Sequence, residues 1–270
     1  MQKRILLLIS FIMVISSSAR ADVLEPALPI TRLPRTITRP GTYVVTGDLV
    51  LKGTTGTGIT IEADNVVLDL NEHTITNVIP ATSGTVSMAV GIAANGHNNI
   101  TIRGGTITGF FQGVMINSGT DTGHILVENV TFNSCPYAGL DLIGDVVEVR
   151  TCRTEFCGLY GLKVGCTVGT MADNEVVNTV GFQGILPRGL AIAALTGCVV
   201  KGNRVFNSTA GLIGIDILAQ EGFSFASDNV VSGWGYGLDF EEGSPGKYLN
   251  NLTENCATPF SGGTAVTGNN

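Results

Sequence analysis

The chain has 270 residues, with 15 basic and 22 acidic side chains, a formal charge of −7, 36 glycines and 6% aromatics. That balance, with no basic cluster anywhere, argues against nucleic acid or an anionic membrane surface as a partner, since both need a positive field. The glycines, the many Val, Ile, Thr and Asn residues and the lack of helical periodicity predict an all-β chain rich in tight turns.

Lys3 and Arg4 precede an apolar run from Ile5 to Ile15, and Ala19-Arg20-Ala21 follows as an A-x-A cleavage site. That is the layout of a secretory signal peptide over residues 1–21, so the mature chain is expected to be secreted or periplasmic. The run is too short to span a membrane, and no later stretch is long enough. Removing Lys3, Arg4 and Arg20 leaves 12 basic residues against 22 acidic ones. Residues 22–40, with Pro26, Pro29, Pro34 and Pro40, read as an extended lead or cap. Residues 41–256 carry a repeat, and 257–270 read as a tail covering the other end.

The repeat is a glycine followed by an apolar-x-apolar strand, starting at Gly58, Gly91, Gly113, Gly139, Gly161, Gly189, Gly214 and Gly237. Two further short β pieces follow in each unit, as in "GLAIA", "CVVKG" and "NRVFN". Insertions at Val78–Val90 and Gly181–Arg188 lengthen two units. Hairpins would need antiparallel turn signals at each junction, and these are missing. Three strands per coil, each stacked on the next coil, give three parallel sheets instead: a parallel β-helix of about nine coils. Asn129, Asn174, Asn203, Asn229 and Asn251 open the third strands, where asparagine suits a left-handed bend and its amide can bond to adjacent coils. Asn133, Asn178, Asn207 and Asn255 follow four residues later. Six cysteines lack metal-site spacing; export permits disulfides, and buried thiols fit equally well.

"NVVLDLNEHTIT" (Asn65–Thr76) and "NNITIRGGTITGF" (Asn98–Phe110) resemble the first coils of bacterial right-handed parallel β-helix proteins of the pectin-lyase-like superfamily. Within it, the chain resembles an uncharacterised secreted branch related to the periplasmic copper-maturation accessory proteins. The resemblance implies that the glycine-led strand forms the first sheet, the face on which such proteins usually build their sites.

Strand alternation points Asp239 outward between Leu238 and Phe240. The same register gives an outward column of Thr60, Ala93, Met115, Asp141, Lys163, Ala191, Asp216 and Asp239. Coils about 4.8 Å apart make Asp141 and Lys163 a cross-strand ion pair. They set Asp216 against Asp239, with Glu241 two residues on and Glu242 behind. Three readings of the acids stand open: a solvated acidic face, a Ca²⁺ site of Asp216, Asp239 and Glu241, or an acid–base pair for sugar chemistry. "YGLDFEE" (Tyr236–Glu242) resembles the Y-G-F-D-P-H motif of secreted alginate epimerases. Tyr236, Gly237 and Asp239 match; Phe240 replaces the proline and Glu241 the histidine, which carries a proton in that family. The catalytic candidates are therefore Asp216, Asp239, Glu241 and Tyr236. Tyr160 and Trp234, at the edge of the same face, can stack on sugars, and with Lys163 and Asp141 they are the binding candidates. Phe110 and Phe111 read as plugs in the turn. His73, His97 and His124 are unclustered and read as surface turn residues.

The expected function is polysaccharide binding or modification on the first sheet, with no required cofactor. The alternatives are a structural or adhesion rod engaging a cell-envelope component, and a uronate lyase or epimerase using Asp216 and Asp239.

Overall fold

Apolar residues alternate with polar ones after each glycine, which buries one face of each strand. The computed structural model describes residues 26–78, 87–119, 123–181, 189–195, 197–218, 224–241 and 246–266. The signal segment, much of both insertions and Glu242 lie outside them. Among the described residues there are 24 strands and no helix.

The strands stack in parallel ladders on three sides. On the first side Ile59, Ile92, Val114, Leu140, Leu162, Ile192, Ile215 and Leu238 stand in register, pointing inward and buried. On the second, Leu68, Ile102, Val127, Val149, Met171, Val200 and Ala226 do the same. On the third, Ile75, Ile107, Phe132, Thr154, Val176, Val205 and Val231 complete the core. Each such aliphatic side chain contributes roughly 1.5–3 kcal/mol by leaving water, and each is repeated in the next coil. The stack makes about eight turns. The expected nine coils counted partial coils at the ends as whole ones.

The repeating glycine marks the corner between the third and first sheets. A Cβ on Gly139 would lie 2.8 Å from the carbonyl oxygen of Gly161 and 3.0 Å from Phe132 Cβ. A side chain at Gly139 would have to displace backbone, and glycine recurs at this corner in all but one coil. The sixth unit breaks the pattern. Lys163 pairs with Ala193, and Ala193 with Asp216. The outward residue is thus Ala193, not the Ala191 expected from Gly189. Buried Ala191 holds the corner position, and Gly189 lies two residues too early to set the register.

Asn174, Asn203, Asn229 and Asn251 form a buried ladder between the second and third sheets. Each of the last three accepts, through Oδ1, the backbone N–H of the asparagine one coil before it, at 2.9–3.1 Å. Asn174 accepts from Cys152 N at 2.9 Å. The amide nitrogens of Asn174, Asn203, Asn229 and Asn251 donate to the carbonyls of Val149, Met171, Val200 and Ala226. The left-handed bend falls one residue earlier than expected, on Asp173, Gly202, Asp228 and Asn250. Asn129 belongs to that bend column, at φ 54°, because Val130 occupies the ladder position beside it. Buried amides cost little only when every donor and acceptor is met, and the parallel stack meets them.

The ladders continue past residues 41–256 at both ends. Leu28–Ile30 pairs with Gly41–Val45, and Arg35–Ile37 with Thr57–Ile61. Thr258–Ser261 pairs with Val230–Phe240, and Thr264–Ala265 with Lys247–Leu249. Phe240, Tyr248 and Phe260 stack in sequence there, with centroids 5.6 and 5.0 Å apart. Five cysteines are buried and Cys256 is half-buried. Burial pushes the Cys152 thiol up to about 12.

Candidate functional site

The first sheet presents its outward column as read from the sequence, with Ala193 substituted: Thr60, Ala93, Met115, Asp141, Lys163, Ala193, Asp216 and Asp239. A second line runs three residues before it, in the slot just ahead of the corner glycine. It holds Gln112, Ala138, Tyr160, Leu190, Ile213 and Tyr236.

Asp141 and Lys163 face each other on adjacent coils. Lys163 Nζ lies 3.2 Å from both Asp141 oxygens. Only 18% of the lysine side chain and 12% of the aspartate side chain are exposed, so the pair is far from an ordinary solvated one. Gln112 Nε2 also donates to Asp141 Oδ2 at 3.2 Å. Sequence reading passed over Gln112, although it stands before Gly113 as Tyr160 stands before Gly161. Lys163 Nζ sits 5.4 Å from the Tyr160 ring centroid, a cation–π arrangement. Tyr160 meets Tyr137 edge-on at 5.8 Å, and Tyr137 stacks on Phe111 at 5.2 Å. Three aromatic rings thus wall one edge of the face. Burial raises the Tyr160 hydroxyl above its ordinary value, against the opposing pull of Lys163.

Asp216 and Asp239 pair in register two coils further on. Asp216 is only 5% exposed, and Asp239 and Glu241 beside it are half-buried. Burial first, then the charges of Asp239 and Glu241, push the Asp216 carboxyl up to about 7. No cation answers this cluster among the described residues, where Lys163 is already taken by Asp141. Near neutral pH the crowding is relieved by a proton on Asp216. Tyr236, on the Asp239 strand, is 39% exposed. It lies three coils from Tyr160 in the same line, roughly 14 Å.

Trp234 is not part of this surface. It is 2% exposed, and its Nε1 has no hydrogen-bond partner. It pairs with Gly211, where any side chain would strike its ring. Phe110 is buried likewise. Both stand three residues before a corner glycine, a slot that turns inward, whereas Tyr160 and Tyr236 stand immediately before one. A sugar cannot reach the Trp234 ring, so its place among the binding residues is withdrawn.

The histidines are separate: His73 lies 3.5 Å from Asp48, His97 3.2 Å from Asp64 and His124 3.6 Å from Glu148. Among the described residues, no three His, Cys, Asp or Glu side chains converge to hold a metal ion. Asp216, Asp239 and Glu241 are neighbours on a ladder and do not enclose a common centre. On the second sheet two outward charge pairs bridge adjacent coils. Arg103 pairs with Asp69 at 2.9 Å and Arg150 with Glu128 at 2.8 Å. The depression beside them is lined by Asp69, Glu72, Arg103 and Glu128.

A family model described as a right-handed β-helix region matches residues 90–270. The chain belongs to the right-handed β-helix family. Among solved structures this β-helix is similar to the A-module of the mannuronan C-5 epimerase AlgE6 of Azotobacter vinelandii. The identity is 13%, the match covers 90% of this chain and 89% of that one, and the TM-score is 0.45. A search of curated proteins finds no match. No helix among the described residues is long and apolar enough to cross a membrane.

Proposed function

We propose that the protein binds polysaccharide along the outer face of its first sheet, with an uncharged or amino-sugar chain favoured over a polyuronate. The observation that carries this reading is the layout of one face. Tyr160 and exposed Tyr236 share a line, and the acids Asp216 and Asp239 stand on the coils between and at its end. Rings spaced along a solenoid suit a polymer, each contributing apolar contact to a sugar face. A uronate needs a cation for its carboxylate. Lys163 is held by Asp141, and Asp239 and Glu241 repel further negative charge. Hydroxyl or ammonium groups donate to these carboxylates instead. The setting of such binding is proposed to be outside the cytoplasm, as the signal-like start suggests.

One observation favours a second reading, a lyase or epimerase. A carboxyl poised at about 7, paired in register with Asp239, has the pKa of a general acid or base at neutral pH. One experiment separates the readings. The mature chain is mixed with neutral, amino-sugar and uronate polysaccharides, with and without Ca²⁺. Co-sedimentation, unsaturated-product absorbance and epimer content are then followed. The expected result is co-sedimentation with neutral or amino-sugar chains and unchanged polymers. A changed uronate, lost in Asp216→Asn, establishes the enzyme instead. Binding to none leaves the structural rod.

A further inference from the structure

We infer that Cys166 and Cys198 form a disulfide that staples two successive coils once a disulfide oxidant is supplied. Their sulfurs lie 2.8 Å apart. Elsewhere in the molecule, thiol contacts to backbone carbonyls run from 3.5 to 3.9 Å, at Cys135, Cys152, Cys157 and Cys256. The Cys166–Cys198 separation is therefore far tighter than a thiol contact here, and approaches the roughly 2.05 Å of a sulfur–sulfur bond.

The surrounding chain makes room for this approach. Cys166 ends the first-sheet part of Tyr160–Ala172, opposite Gly144, and Cys198 opens Cys198–Lys201 opposite Gly169. A side chain on Gly169 would strike the Cys166 sulfur. Gly197, at φ 56°, passes so close to the Thr167 carbonyl that no Cβ fits. Both sulfurs are buried, so the bond would be shielded from reductants. Cys135 and Cys157 form the competing pair. Their thiols share a hydrogen bond across adjacent coils, which with burial raises Cys135, while the same contact lowers Cys157.

The step balances with oxidised glutathione as the oxidant. The Cys166 thiolate attacks one glutathione sulfur, forming a mixed disulfide and releasing one glutathione thiolate. The Cys198 thiolate attacks the Cys166 sulfur, closing the Cys166–Cys198 bond and releasing the second glutathione. The two cysteine protons and two electrons end on the two glutathiones. This inference is independent of the polysaccharide reading.

The test is to refold the chain in a reduced and oxidised glutathione buffer, denature it, alkylate it with iodoacetamide and map its tryptic peptides. Each of the six cysteines falls in a different peptide; Cys166 is in 164–188 and Cys198 in 189–201. The expected result is four alkylated cysteines and one cross-linked species joining those two peptides, lighter by two hydrogens. Protein refolded with reductant alone should then melt roughly 5–10 °C lower than protein refolded with oxidised glutathione, and Cys166→Ser should show no such difference. Six alkylated cysteines, or a cross-link between Cys135 and Cys157 or any other two, overturns the inference. If Cys166→Ser does not fold, the wild-type peptide map decides alone.

Discussion

Asp141 and Asp216 occupy the same column of the same sheet, in strands that read "GLDL" and "GIDI". Their surroundings are opposite. Asp141 meets an ammonium and an amide across adjacent coils. Asp216 meets a second carboxylate and is pushed up to about 7. The strand motif fixes only where an acid points. In a solenoid, the neighbour about 22–30 residues away decides whether that acid is a structural ion or a reactive one.

Removing the lysine should have the largest destabilising effect. Lys163→Met leaves a mostly buried Asp141 charge with only Gln112 as partner. It should lower stability by about 3 kcal/mol in urea unfolding. Adding Asp141→Asn should restore most of that loss. A second change removes the unanswered acid. The native pKa of Asp216 lies above the ordinary aspartate value of 3.8, so the native state binds the proton more tightly than the unfolded chain does. Its contribution to stability is full below about pH 4 and is lost as pH rises through about 7. Asp216→Asn should therefore flatten the fall in melting temperature between pH 4 and 8, and leave the protein more stable at pH 8 by about 4 kcal/mol. The smallest effect should come from Asp239→Asn. Burial is the larger cause of the Asp216 shift, so removing the neighbouring charge should lower its titration midpoint by less than half of the full shift. Carbonyl NMR of Asp216 reads that midpoint directly.

Much of this architecture was legible in the sequence, because a stack repeats its signals. The glycine column, the inward aliphatic positions and the pairings of Asp141 with Lys163 and Asp216 with Asp239 all follow from one rule of register. That rule failed where glycine did not mark the corner: Ala191 holds it in the sixth unit, and only the ladder reveals the shift. The asparagine ladder was seen, but its bend was misplaced by one residue, since Asp, Gly and Asn share the left-handed position and leave no single-residue signature. Trp234 departs from its expected place because residues two apart at a strand end can face opposite ways at a tight corner. The depth of Asp216 was also out of reach, because burial depends on the walls of neighbouring coils and not on its own strand.

Polysaccharide is proposed to lie on the first sheet beside Tyr236 and Asp216. Affinity electrophoresis through gels containing a neutral, an amino-sugar or a uronate polysaccharide tests it most directly, using wild type, Tyr236→Ala and, on the second sheet, Arg103→Ala. The expected result is retardation by a neutral or amino-sugar polymer, lost in Tyr236→Ala and kept in Arg103→Ala. No retardation in any gel, or equal loss in Arg103→Ala, would contradict it.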